Sequence, residues 1–231
     1  MSKLALVRPP SPRLAHGIVT HIDRTPVDVE LAMKQWTAYV AALRAHGWTS
    51  TEVPAAPNCP DAAEAVRAFG YHTVAIEAPG TLDGGDVLKV GDTIYVGRGG
   101  RTNAEGIAQL AAAIEPLGAT VITVPLNKVL HLKSAITALP DGTIIGWEPA
   151  LDDPSIFPNF LAMPEESGAH VVLLDEKHLL MSSDAPKSAD MIRARGYEPV
   201  LVDISEYIKL EGCVTCLSVR LREAPTTNVG G

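Results

Sequence analysis

Residues 87–124, VLKVGDTIYVGRGGRTNAEGIAQLAAAIEPLGATVITV, decide how this chain folds. Val87–Val90 and Thr93–Gly97 are short apolar segments on either side of Gly91-Asp92, a pattern that predicts a β-hairpin. A helical segment follows from Thr102 to Leu117, and Ala119–Val124 returns as a strand. This stretch is therefore predicted to form one unit in the order strand, strand, helix, strand.

The same unit recurs three to four times along the chain. The remaining elements are predicted as strands at Leu4–Val7, Trp48–Val53, His72–Ile76, Glu198–Val202 and Val214–Leu221, hairpins at 134–146 and 171–181, and helices from Thr25-Pro26 to Gly47, at Ala62–Phe69, Asp152–Gly168 and Ala185–Arg195. Such alternation is typical of an α/β protein, and by itself it fits a doubly wound sheet at least as well as a propeller of small repeated sheets.

Composition limits the classes of function. The 231 residues are 46% hydrophobic, which is enough to bury a normal core. The net charge of −8 argues against a nucleic-acid or anionic-membrane binder, since both need a basic face. Three cysteines do not make a disulfide framework, and no segment reaches the roughly 20 apolar residues of a membrane span. We expect a cytoplasmic protein with one domain over 1–231 and a flexible tail at 224–231.

The segment Thr81-Leu82-Asp83-Gly84-Gly85-Asp86-Val87-Leu88 is the strongest local signal for chemistry. Two glycines between two aspartates allow a tight turn that aims both carboxylates near one spot. The simpler interpretation is a polar turn before a hairpin. The functional one is a carboxylate that orients a catalytic group.

A second signal is His131 in the sequence Leu130-His131-Leu132-Lys133-Ser134, at the start of a predicted strand. A lone histidine is usually a satisfied structural residue. To act as a general acid and base it would need a carboxylate on one ring nitrogen, and Asp83 is a candidate.

A third signal is the pair Cys213 and Cys216, a C-x-x-C that leads into the last predicted strand. A thioredoxin-like motif should instead lie between a strand and a helix, and a zinc site would want a second pair of ligands. Burial of both thiols in the core and a single nucleophilic cysteine that works with a distant histidine remain open.

The loop Gly97-Arg98-Gly99-Gly100-Arg101-Thr102-Asn103 matches neither the phosphate-binding P-loop nor the dinucleotide fingerprint. It places Arg101 beside a helix start, where an arginine can bind a carboxylate with two hydrogen bonds. A solvated loop arginine is the alternative.

In this order, six segments resemble the dimethylarginine dimethylaminohydrolase family of the guanidine-modifying (pentein) superfamily: 6–12, 59–61, 82–88, 100–103, 130–134 and 215–219. The resemblance implies an α/β-propeller of five strand, strand, helix, strand modules with a central active site. It implies hydrolysis of Nω,Nω-dimethylarginine or monomethylarginine to citrulline and an amine, with no cofactor and no metal. The implied partner is that small substrate, without nucleic acid or membrane and with a possible homodimer.

The resemblance also implies roles for individual residues. Cys216 would be the nucleophile, His131 the general acid and base, and Asp83 the carboxylate that orients His131. The implied substrate-binding residues are Asp61 for the α-amino group, Arg101 for the α-carboxylate, Glu211 near the guanidinium, and Val19. Cys213 has no implied role.

The sequence departs from the family after Asp61, where it runs directly into the helical segment Ala62–Gly70. The strand pair of the second module is therefore expected to be absent. Two further features of the family would then be absent as well. One is the Glu-Asp pair that holds the guanidinium, and the other is one of the two arginines that bind the carboxylate. The alternatives are a catalytically impaired or non-catalytic member of the family, or an arginine deiminase-like hydrolase or amidinotransferase.

Overall fold

The computed structural model describes residues 3–17, 19–53 and 63–221, with the side chains of 63–65 excepted. Cys59, Asp61 and the predicted tail at 224–231 lie outside the described residues. Within the described ranges, every helix is too short or too polar to reach across a lipid bilayer.

The described residues contain twelve strands and five α-helices. The strands are β1 Lys3–Val7, β2 Trp48–Glu52, β3 Val87–Val90, β4 Thr93–Arg98, β5 Thr120–Pro125, β6 Ile136–Ala138, β7 Ile144–Gly146, β8 Phe160–Ala162, β9 Val171–Leu173, β10 His178–Ser182, β11 Glu198–Val202 and β12 Ser218–Leu221. The helices are α1 Val29–Ala45, α2 Ala63–Ala68, α3 Ala104–Ile114, α4 Pro186–Ala194 and α5 Ser205–Ile208.

The strands form four separate three-stranded sheets, with strand orders β12-β1-β2, β3-β4-β5, β6-β7-β8 and β9-β10-β11, here called the first to fourth sheets. In each, the central strand pairs antiparallel with one neighbour and parallel with the other. A helix makes the parallel crossover in three sheets, and short 3-10 turns make it in the third sheet. The repeated-module fold is confirmed, and the doubly wound alternative is wrong because no continuous sheet forms in this part of the chain.

The unit at 87–124 folds as predicted. Gly91 takes φ +58° at the hairpin turn between β3 and β4. The side chain of Asn103 accepts from the backbone N–H of Gly106 and so caps the first turn of α3. Gly118 ends the following 3-10 turn with φ +90°, and β5 then pairs parallel to β4.

Four element predictions need correction. α1 begins at Val29 rather than Pro26, because Asp28 caps it by accepting from the backbone N–H of Leu31. The predicted helix Asp152–Gly168 is instead a pair of 3-10 turns around β8. His72–Ile76 is not a strand, since no neighbouring strand of the described chain pairs with it. Residues 214–217 of the last predicted strand form a 3-10 turn, and the strand β12 begins at Ser218.

Buried side chains connect neighbouring sheets in the order first, fourth, third, second. The clusters include Val7 with Leu180 between the first and fourth sheets, Ile145 with Leu179 between the third and fourth, and Tyr95 with Ile136 between the second and third. In the described ranges no such cluster joins the first and second sheets. Between β2 and β3 the only described regular element before residue 84 is α2. Among the described residues the ring of sheets is therefore open at this point, where the sequence predicts a shortened second module.

Candidate active site

The turn at 83–86 places two aspartates as the sequence suggested. Asp83 accepts from the backbone N–H of Gly85 at 2.7 Å and so starts a single 3-10 turn over Gly84–Asp86. The backbone N–H of Asp83 donates to Thr102 Oγ1 at 3.0 Å. The turn is thus anchored to the segment that leads into α3.

Asp86 lies fully buried behind this turn. Its two oxygens accept from Thr102 Oγ1 at 2.6 Å and from the backbone N–H of Leu132 at 3.0 Å. Buried charges persist in proteins only where they are hydrogen-bonded in this way. Asp86 therefore ties the 83–86 turn to the residue that follows His131 in the chain.

His131 lies beside the 83–86 turn and close to Asp83. Its Nε2 atom is 3.3 Å from Asp83 Oδ2, within ion-pair distance but outside hydrogen-bond geometry, and it is a buried atom with no other partner among the described residues. One edge of its ring packs against the backbone of Gly85. With Nε2 directed at a carboxylate, Nδ1 is the ring nitrogen without a carboxylate partner among the described residues.

The two cysteines lie at the start of β12, on a 3-10 turn closed by a hydrogen bond from Cys216 N to Cys213 O at 2.9 Å. Cys216 is exposed to solvent, whereas Cys213 keeps only 4% of its surface. Burial of both thiols is therefore ruled out. The two sulfurs are 3.4 Å apart, and Thr215 Oγ1 lies 3.0 Å from Cys213 Sγ.

This contact separates the acidities of the two thiols. The hydrogen bond from Cys213, with smaller contributions from Thr215 and from the nearby charge of His131, lowers the pKa of Cys216 to about 6 against the opposing effect of partial desolvation of its sulfur. The same hydrogen bond and its own burial raise the pKa of Cys213 well above the ordinary thiol value. Cys216 is consequently the thiol that ionises near neutral pH, and His131 is close enough to interact with its charge.

Lys133 adds a cation to the same region. Burial lowers the pKa of its ammonium group, as does the charge of Arg220, whereas Cys216, Cys213 and Asp83 act in the opposite direction. The backbone carbonyl of Lys133 lies 3.9 Å from Cys213 Sγ. The residues of the 131–134 turn thus face the thiol pair with both an imidazole and an ammonium group.

The carboxylate of Glu211 is held by backbone hydrogen bonds to a neighbouring loop. Its backbone is left-handed, with φ 59°. Its carboxylate accepts from the backbone N–H groups of Thr20 at 2.9 Å and His21 at 2.7 Å. Glu211 therefore holds the loop that carries Val19, a half-buried residue. The structure connects these two predicted substrate-binding residues through that loop.

A cavity of about 350 Å³ reaches this region from the side of Cys213. Four carboxylates, of Glu165, Glu166, Asp184 and Glu211, lie in its lining. Cys216 and His131 are absent from the lining that the described residues form. The cavity therefore reaches the buried thiol and not the exposed one.

Arg101 is exposed on the loop before α3, directly next to Thr102. Because Thr102 contacts both Asp83 and Asp86, the loop of Arg101 belongs to the same group of connected turns. Among the described ranges no group of three or more His, Cys, Asp and Glu side chains is arranged to hold a metal ion.

Three contributors to this geometry were not assigned a role from the sequence: Thr102, Gly85 and Cys213. The first two lie in segments that the sequence singled out, but only the fold reveals what they contact. Cys213 carried a clear signal, since a cysteine three residues before another on a turn brings the two sulfurs together.

The fold is similar to that of two solved structures. The chain aligns with DDAH from Pseudomonas aeruginosa, a cysteine-to-serine mutant complexed with citrulline, at a TM-score of 0.85 and 29% identity over 96% of this chain and 100% of that one. It aligns with the N-terminal domain of ArgZ, a cyanobacterial arginine dihydrolase, at a TM-score of 0.78 and 16% identity, covering 96% and 98%. Fold and site together define a pentein, an α/β-propeller of the guanidine-modifying superfamily.

Curated relatives narrow the assignment. The chain is 58% identical to the N(G),N(G)-dimethylarginine dimethylaminohydrolase of Streptomyces coelicolor over an alignment of 253 positions, gaps included, that covers 96% of this chain and 98% of that protein. It is 30% identical to the enzyme of the same name from Pseudomonas aeruginosa, covering 95% and 100%. No protein-family model matches the chain. The chain belongs to the dimethylarginine dimethylaminohydrolase family.

The alignment with the Streptomyces coelicolor relative is longer than this chain, 253 against 231 residues. That relative therefore contains residues with no counterpart here. A difference of this kind agrees with the four sheets that the described residues form.

Proposed function

We propose that this chain hydrolyses Nω,Nω-dimethylarginine and Nω-monomethylarginine to citrulline and the corresponding amine, with Cys216 as nucleophile. One observation carries the proposal beyond family membership. An exposed thiol whose pKa is lowered to about 6 lies within electrostatic reach of an imidazole that faces a carboxylate. Cysteine nucleophiles are activated in such surroundings.

The first half of the reaction needs a strong nucleophile. An alkylated guanidinium is delocalised and permanently charged, so its central carbon is a poor electrophile. The Cys216 thiolate adds to that carbon, and His131 donates a proton to the departing dimethylamine, so that the amine does not return. The product of this step is a thiouronium bonded to Cys216 Sγ.

The second half uses the same histidine in reverse. After the amine has left, His131 is neutral and accepts a proton from a water molecule that attacks the thiouronium carbon. Collapse of the adduct releases citrulline and returns the Cys216 thiolate. Asp83, 3.3 Å from Nε2, favours the tautomer with its proton on that nitrogen and so orients the ring of His131.

Substrate binding draws on residues around these turns. We assign the α-carboxylate to Arg101 and the α-amino group to Asp61. Glu211 contributes negative charge near the guanidinium and holds the Val19 loop through its contacts with Thr20 and His21. A carboxylate near the guanidinium matters because an unpaired cation in a dry pocket costs several kcal/mol.

The test is citrulline formation from dimethylarginine by the purified chain. We expect turnover in the wild type and its loss in Cys216→Ser, while Cys59→Ser serves as the matched cysteine control. A parallel assay with free arginine separates this activity from that of a deiminase. Citrulline formation that survives Cys216→Ser would disprove the mechanism. A folded wild type that neither forms citrulline nor binds it calorimetrically would instead point to a non-catalytic relative.

We also infer that the chain works in the cytoplasm as a homodimer and folds as one domain over 1–231. The buried clusters that connect adjacent sheets support a single cooperative unit. Sedimentation equilibrium would give the oligomeric state, and calorimetric unfolding with a single transition would support one domain.

A further inference from the structure

The C-x-x-C pair is the feature that the proposed reaction leaves unused. Only one of its two thiols can add to the substrate. The other, Cys213, is buried, yet its sulfur is 3.4 Å from Cys216 Sγ, 3.0 Å from Thr215 Oγ1 and 3.9 Å from the carbonyl oxygen of Lys133. A buried polar group so close to a nucleophile needs an account.

We propose that Cys213 is a positioning residue: its S–H group donates a hydrogen bond to Cys216 Sγ and holds that sulfur as a thiolate before substrate binds. The effect of Cys213 on turnover rests on the proposed function. Its effect on the ionisation of Cys216 in the substrate-free protein does not.

Burial decides which sulfur carries the charge. Cys213 keeps 4% of its surface, whereas Cys216 is exposed, and desolvation disfavours a charged group. The cavity that reaches Cys213 is also lined by the carboxylates of Glu165, Glu166, Asp184 and Glu211. The pair therefore shares one proton, which resides on Cys213.

Geometry also decides where the Cys213 proton points. The carbonyl of Lys133 is 3.9 Å away, which is too long for a good hydrogen bond. Thr215 has a hydroxyl proton of its own and can donate to Cys213 Sγ rather than accept from it. A thiolate at 3.4 Å is the strongest acceptor in reach, since hydrogen bonds to ions are about twice as strong as neutral ones.

Other titratable groups near the pair act on it with both signs. The groups that surround it from neighbouring elements are His131 and Lys133 on the 131–134 turn, Asp83 on the 83–86 turn, Tyr39 on α1 and Arg220 on β12. The charge of His131 favours the thiolate at Cys216. The cations alone do not distinguish the two thiols, so the specific test of the hydrogen bond is removal of the Cys213 donor.

The experiment measures alkylation of Cys216 by iodoacetamide between pH 5 and 9.5, without substrate, in a Cys59→Ser background. Peptide mass spectrometry separates Cys216 from Cys213. The variants are Cys213→Ala, which removes the donor, and Cys213→Ser, which keeps a donor of similar size. Thermal unfolding followed by circular dichroism verifies the fold of each.

We expect a midpoint of about 6 in the protein with Cys213 intact. In Cys213→Ala it should move toward the ordinary thiol value of about 8.5, with alkylation at pH 7 slower by at least about tenfold. Cys213→Ser should lie between the two. Equal midpoints with and without Cys213, or a midpoint near the ordinary value when Cys213 is present, would overturn the proposal. If Cys213→Ala does not fold, the midpoints of the protein with Cys213 intact and of Cys213→Ser still test the proposal.

A second readout connects the thiol pair to turnover. The acidic limb of kcat/KM against pH should follow the alkylation midpoint in each variant, as expected of a positioning residue and not of a merely structural one. If no protein in the series forms citrulline, the proposed function fails, but the alkylation series still decides the role of Cys213. If turnover occurs and its acidic limb is unchanged in Cys213→Ala, the positioning role is wrong.

Discussion

The imidazole of His131 lies directly against Gly85: a Cβ atom added at residue 85 would be 2.6 Å from Cγ of the ring. Real Cβ atoms do not approach other heavy atoms so closely, so any larger side chain must displace the ring. Because His131 Nε2 is only 3.3 Å from Asp83 Oδ2, such a displacement also separates the imidazole from its carboxylate. The turn Gly84–Asp86 therefore both supplies the carboxylate and leaves room for the ring.

Gly85→Ala should reduce kcat for dimethylarginine by about 100-fold, the order of loss that follows a misplacement of about 1 Å at a reacting group. Gly84→Ala is the matched control, because a Cβ at Gly84 meets nothing within 4 Å. Steady-state kinetics on both variants, with thermal unfolding to verify the fold, would measure the difference. Equal activity of the two variants would mean that the position of His131 is not critical.

Asp86→Ala should destabilise the protein by about 2–5 kcal/mol, because Thr102 Oγ1 and the backbone N–H of Leu132 would lose their common acceptor in a buried place. Activity should fall as well, since Leu132 follows His131 in the chain. Asp92→Asn, on the exposed turn between β3 and β4, is the control and should change stability by less than about 0.5 kcal/mol. Urea unfolding would compare them, and near-equal midpoints would contradict the assigned role.

Local signals predicted those elements whose partners lie nearby in the sequence. The hairpin β3-β4, helix α3 and strand β5 follow from turn residues, an N-cap and a C-terminal glycine within one stretch of chain. The start of α1 does not follow from local signals, because the backbone N–H of Asp28 is held by the buried carboxylate of Glu206, 178 residues away. The apolar alternation at His72–Ile76 predicted a strand, and this was wrong because a strand needs a neighbouring strand with which to pair.

The candidate site shows the same limit. The residues that can do chemistry were visible as Asp83, His131 and Cys216. What positions them was not: the space over Gly85, the buried contacts of Asp86 and the choice of Cys216 over Cys213 as the acidic thiol all depend on packing between different modules. Sequence spacing brings the two cysteines together but leaves open which of them is buried.

Glu211→Ala should raise KM for dimethylarginine at least about tenfold with a smaller effect on kcat, because the carboxylate holds the Val19 loop and adds negative charge near the guanidinium. Hydrogen exchange of the Thr20 and His21 amides should quicken at the same time, since both lose their acceptor. Glu115→Ala, an exposed glutamate on the turn after α3, is the control. Unchanged KM together with unchanged exchange would refute the role of Glu211.

Asp175 should make stability depend on pH through the β9-β10 hairpin. Burial alone would raise the pKa of its carboxyl, but hydrogen bonds from the backbone N–H groups of His178 and Lys177 and from the His178 ring outweigh this and lower the pKa to about 2. A pKa that is lower in the folded than in the unfolded chain gives stability that is fully present above about pH 4 and is lost as the pH falls toward 2.

The variant Asp175→Asn should therefore be less stable than the wild type at pH 7, with the difference closing between pH 4 and pH 2. The effect will be moderate, because the side chain of Asp175 is 33% exposed and solvent screens its charge. Urea midpoints at pH 7, 4 and 2.5 measure it, with Asp190→Asn as a control whose carboxylate is 77% exposed on α4. A gap between wild type and Asp175→Asn that stays constant down to pH 2.5 would mean that its hydrogen bonds, and not its charge, supply the stability.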